Sequence, residues 1–77
     1  MSRDEILKAM RDFSPVKYDG IIYARISARI HRVIKTRKGT YKEVFQLELT
    51  SMHGNSVTIA EMEKVELANE QTEIIIN

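Results

Sequence analysis

Apolar residues recur on two different periods along this chain. Near the N-terminus Ile6, Leu7, Met10 and Phe13 fall at helical spacing. Ser2 followed by Glu5 fits a capping box, and Met1 with Ile6 occupies the two positions of a hydrophobic staple. Asp4 and Glu5 lie in the first turn, where the helix dipole favours negative charge. Pro15 disfavours helix at Ser14, so the pattern predicts a helix over residues 2–13 that ends near Asp12 or Phe13.

Further on, Ile22, Ala24, Ile26, Ala28, Ile30 and Ile34 alternate with Tyr23, Arg25, Ser27, Arg29, His31 and Lys35. The isoleucines also recur every four residues, but the alternation and the density of β-branched side chains favour a strand. "TRKG" reads as a four-residue hairpin loop closed by a left-handed Gly39. Pairing Lys35 with Thr40 then sets Ile34 against Tyr41, Ile30 against Phe45, Ala28 against Leu47 and Ile26 against Leu49. Arg32, the one charge on that apolar face, falls opposite Glu43. A second hairpin, with a three-residue loop over Met52, His53 and Gly54, pairs Ser51 with Asn55, Leu49 with Val57 and Leu47 with Ile59. Both hairpins keep Leu47 and Leu49 inward, and this mutual consistency is the strongest fold signal in the chain.

"EMEK" interrupts the alternation and reads as one helical or 3₁₀ turn, and "VEL" resumes as a short strand with Val65 and Leu67 inward. "TEIIIN" is expected as an edge strand or apolar tail. The prediction is one α+β domain over residues 1–77: an N-terminal helix packed on a bent antiparallel β-meander or small SH3-like barrel (residues 17–68), then a tail (69–77). Three meander strands, a single-turn interruption and a last short strand resemble the SH3-like or Sm-like small barrel in strand order. The aromatic peptide-binding pattern of SH3 domains and an Sm signature are both missing, so the resemblance implies a fold and no function.

Charge changes this picture more than composition does. The net charge is only +1, but residues 25–42 hold seven Lys and Arg and no acid, while residues 43–77 hold seven Glu against Lys64. Such segregation suits an anion-attracting patch, or two halves that neutralise each other. The candidate site is the outward face of the first hairpin: Tyr23, Arg25, Arg29, His31, Lys35 and Lys42, extended by Arg37 and Lys38 at the loop. Arg and Lys there would hold phosphates, and Tyr23 or His31 would stack on a base. The same pattern also serves as the solvated face of a half-exposed sheet.

Little points to catalysis. Neither histidine stands at a metal-ligand spacing, cysteine is absent, and Glu61, Glu63 and Glu66 surround a turn without an apolar pocket or a nucleophile. The expectation is a non-enzymatic binding module without a cofactor, acting in the cytoplasm on a phosphate-bearing ligand, foremost nucleic acid. Two rivals stand beside it: a phage or mobile-element accessory protein that binds a partner protein, and an oligomer that sequesters a small nucleotide. No apolar run reaches the roughly 18 residues of a membrane span. A chain of 77 residues without disulfides gains stability by association, so a homo-oligomer is expected, through a patch of Met10, Phe13, Tyr18, Tyr41 and the isoleucines 74–76.

Overall fold

The computed structural model describes residues 1–68. Helix α1, Arg3–Asp12, begins with the capping box: Glu5 N–H donates to Ser2 Oγ over 3.2 Å and Ser2 N–H donates to Glu5 Oε1 over 2.7 Å. It ends at Phe13, which turns left-handed (φ 52°), two residues before Pro15. Ile6 and Ala9 are buried, and Met1 and Met10 pack against the same core. Phe13 does not join them, because its left-handed backbone swings the ring off the helix face into solvent.

Strands β1 (Val16–Tyr18) and β2 (Ile21–Tyr23) form a tight hairpin, followed by β3 (Arg25–Lys35), β4 (Tyr41–Thr50) and β5 (Val57–Glu61). A 3₁₀ turn, Met62–Lys64, leads to β6 (Glu66–Leu67). The strands make two antiparallel sheets, ordered β2-β1-β6 and β3-β4-β5. The α+β class and the helix-on-meander arrangement hold, but the sheets do not close into a barrel. The stretch expected as one strand breaks at Ala24, where the chain passes from one sheet to the other while its N–H donates to Thr50. Residues 69–77, with the expected tail strand, lie outside the described residues.

Nine buried residues form the core: Ile6 and Ala9 from the helix, Val16 and Tyr23 from the smaller sheet, Ile26, Leu47, Leu49 and Ala60 from the larger, and Val65 after the 3₁₀ turn. Leu47 and Leu49 are central, as expected. The register around them is not the expected one. Thr36 N–H donates to Thr40 O over 2.8 Å and their hydroxyls lie 2.7 Å apart, closing a three-residue loop of Arg37, Lys38 and Gly39. Gly39, at φ 83°, supplies the left-handed residue such a loop needs. With one loop residue fewer, Lys35 pairs with Tyr41, His31 with Phe45 and Arg29 with Leu47. A bulge at Ser27 then absorbs one residue and restores Ile26 opposite Leu49. Its hydroxyl, 2.8 Å from Glu48 Oε1 and 2.8 Å from Thr50 Oγ1, occupies the otherwise unpaired position.

The second loop errs the other way. Ser51 N–H donates to Ser56 O, so the loop has four residues, Met52 to Asn55, and Leu49 pairs with Thr58 and Leu47 with Ala60. A one-residue slip exchanges the faces of a strand. Val57 and Ile59 therefore point outward, while Ala60 is buried. Leu67, expected inward, is also exposed.

α1 and the smaller sheet cover only the root of the larger one. Beyond Arg29 and Leu47, β3 and β4 continue as a two-stranded arm whose residues are exposed or half-buried on both faces. The described residues accordingly measure 53 × 25 × 19 Å, with a radius of gyration of 14.4 Å. A compact chain of this length would have about 11 Å.

Candidate nucleic-acid interface

The bulge and the shortened loop together decide what the arm displays. On the face continuous with Leu47 and Leu49, alternation places Arg29, His31, Val33 and Lys35 of β3 opposite Leu47, Phe45, Glu43 and Tyr41 of β4. The His31 and Phe45 rings are stacked, with centroids 4.6 Å apart and planes 5° from parallel. His31 Nε2 also lies 2.9 Å from Glu43 Oε1, which fixes the imidazole against the sheet. Phe45 is 48% exposed and Tyr41 70% exposed, large values for aromatic rings. Where the arm leaves the core, a groove of about 490 Å³ is lined by Arg3, Arg29, Ile30, His31, Phe45 and Met62. Arg3 reaches it from the first turn of α1.

The eight expected site residues are divided by this geometry. Arg29, His31 and Lys35 share the aromatic face, and Arg37 and Lys38 sit at the loop beyond it. Lys42 pairs with Ile34 on the opposite face. Arg25 pairs with Thr50 at the root and lies over the Phe13 ring, 5.4 Å from its centroid. Tyr23 is buried in the core, because it belongs to β2 and the smaller sheet, so it cannot stack on a ligand. The single outward stripe read from alternation therefore does not exist.

Three residues of the face escape sequence reasoning. A four-residue loop turns Phe45 and Tyr41 inward, and Arg3 belongs to a distant helix. The Thr36 and Thr40 pair flanking Arg37, Lys38 and Gly39 is the available signal for the shorter loop. Nothing in the sequence places Arg3.

Residues 29–45 carry six Lys and Arg against Glu43 alone, a net of +5 with His31 neutral, so the rest of the chain carries −4. Among the described residues the ion pairs are Lys8–Asp12, His31–Glu43 and Lys64–Glu61, none of which engages a lysine or arginine of the arm. Arg32, on the opposite face, donates from Nε to Gln46 Oε1 over 2.8 Å. No set of three His, Asp or Glu side chains among the described residues is grouped to hold a metal ion. No helix among them is long and apolar enough to cross a membrane. Compared with protein-family models, curated proteins and solved structures, the chain matches none.

Proposed function

We propose that this chain is a non-enzymatic binding module whose arm takes single-stranded nucleic acid on its aromatic, cationic face. The observation that carries the reading is the exposed His31–Phe45 pair, stacked in nearly parallel planes, followed outward by Tyr41 and framed by Arg3, Arg29 and Lys35. A base lies flat on an aromatic ring only when it is free of its own helical stack. Duplexes offer base edges and phosphates, so they engage the cations of this face but not its rings. Stacking tolerates any base, and the cations follow the backbone, which together give binding with little sequence preference. The reading goes with action in the cytoplasm, where such a ligand is accessible.

The arm's charge makes much of the affinity electrostatic. Each phosphate contact on a single strand contributes a slope of about −0.7 in log K against log salt. Fluorescence anisotropy with labelled single-stranded and duplex oligonucleotides over a salt series tests this. The single strand should bind more tightly, with a linear negative slope. Absence of binding at low salt rejects the reading. In that case nucleotide mass recovered from denatured protein would favour sequestration of a small nucleotide, and nuclease-insensitive recovery of one stoichiometric protein would favour a protein partner.

A further inference from the structure

The two faces of the β3-β4-β5 sheet differ in chemistry, and the proposed nucleic-acid platform uses only one. On the other face, β-branched aliphatics Ile34, Val44, Val57 and Ile59 form a band that runs obliquely from the arm tip on β3 to the root on β5. Ile34, Val57 and Ile59 are 47%, 54% and 42% exposed, and no element among the described residues covers them. A solvated sheet face needs polar residues at these positions. Charge on this face is also polarised along the strands. Arg32 and Lys42 lie toward the tip, while Glu48 and Glu61 lie toward the root. Arg25 at the root is turned over the Phe13 ring, and Lys64 pairs with Glu61 over 2.9 Å, so among the described residues Glu48 is the root acid without a cation of its own copy beside it.

We infer that a second copy of this chain covers this face in a two-fold sheet-on-sheet dimer. The polarity of charge selects the orientation. A dimer with tip over tip would set Lys42 on Lys42 and Glu48 on Glu48. The inverted arrangement lays the Arg32 and Lys42 end of one copy on the Glu48 and Glu61 end of the other, and sets Ile34 of each against the Val57 and Ile59 end of its mate. Because the band is oblique, inversion makes the two strand directions cross at a modest angle, the usual geometry of aligned sheet packing. The interface uses the same patch on both copies, so it closes at two and does not propagate. Such a dimer leaves both aromatic faces turned outward. The expected patch of Met10, Phe13, Tyr18, Tyr41 and the isoleucines 74–76 is a different surface: Met10 and Tyr18 pack on the core, Phe13 and Tyr41 belong to opposite ends of the described fold, and the isoleucines lie outside the described residues.

Size-exclusion chromatography with light scattering, on protein freed of nucleic acid, tests the dimer independently of the ligand. Wild type should read twice the 8.9 kDa of one chain at high micromolar concentration. Ile59→Lys and Val57→Lys, both at exposed positions, should read as monomers with an unchanged circular dichroism spectrum. Lys42→Glu should raise the dimer dissociation constant by at least about tenfold through like charges across the interface. Tyr41→Ala, on the other face, should leave the dimer intact. A wild-type mass of one chain at several hundred micromolar, or a dimer that survives Ile59→Lys, overturns the inference.

Discussion

Replacing Phe45 by alanine separates a residue that builds the fold from one that displays a surface. Phe45 lies on the arm, beyond the buried Leu47, with about half of its surface open to water and one ring face against His31. Its loss to folding is therefore the His31 stack plus a partial apolar burial. A buried Phe→Ala substitution costs about 3–5 kcal/mol, and an aromatic pair contributes about 0.5–1.5 kcal/mol beyond its area. At half exposure, with the rest of the core untouched, about half of that full-burial cost follows, about 1.5–2.5 kcal/mol. Binding should suffer on a comparable scale through a different route. One base stacked on an aromatic ring contributes about 1–3 kcal/mol, or about 5- to 140-fold in affinity. With His31 already covering one side of the ring, the lower half of that range applies, about 5- to 25-fold. Urea denaturation gives the first quantity, and anisotropy with a single-stranded oligonucleotide at fixed low salt gives the second. The salt slope should stay unchanged, because no cation is removed. Affinity within twofold of wild type in a folded Phe45→Ala protein would refute the stacking role.

Further outcomes follow from the same geometry. Leu47→Ala, at the centre of the core, should destabilise the protein by about 2–5 kcal/mol in urea melts. Arg37→Ala combined with Lys38→Ala should leave stability unchanged and flatten the slope of log K against log salt by about 0.7 for each phosphate the double variant no longer neutralises. Gly20→Ala meets no neighbouring atom but must hold φ 77°, so it should cost about 1–2 kcal/mol by backbone strain alone. Hydrogen bonds from the backbone and then the side chain of Ser2 hold the Glu5 carboxyl below its ordinary value. A lowered carboxyl pKa stabilises the fold above the unfolded-state value and loses that contribution as pH falls below about 4.3 and through the folded-state value. Thermal melts should show wild type losing stability in that window relative to Glu5→Gln, which keeps the hydrogen bond without the charge.

Where side-chain chemistry acts locally, the sequence was legible. The helix start at Ser2, its end before Pro15, the 3₁₀ turn at Met62–Lys64 and the inward Leu47 and Leu49 all rest on interactions within a few residues or on strict alternation. Register was the weak point. Each loop length was off by one residue, in opposite directions, because three- and four-residue loops ending near a glycine share the same residue preferences. In the first hairpin the bulge at Ser27 compensated, so the core pairing of Ile26 with Leu49 was right while the arm beyond it was reversed. No such device exists on β5, and its two large apolar residues, Val57 and Ile59, turned outward while Ala60 took the buried position. Asp19 and Gly20, both at positive φ, close a two-residue hairpin that makes Tyr23 part of another sheet. Their adjacency is a strong turn signal, whereas alternation alone runs through to Tyr23 and sets a core tyrosine in the candidate site. The alternation that makes a strand recognisable says nothing about which face is covered, so the aromatic face could be found only once α1 had a place.

Residue-resolved mapping of bound oligonucleotide tests the central claim most directly. In ¹⁵N-labelled protein, titration with a short single-stranded oligonucleotide should shift the amides of Arg29, His31, Lys35, Tyr41 and Phe45 together with Arg3. The ring protons of Tyr41 and Phe45 should move upfield as bases stack on them. Shifts confined to Val57, Ile59 and their neighbours on the opposite face, or no shifts at low salt, would contradict the account.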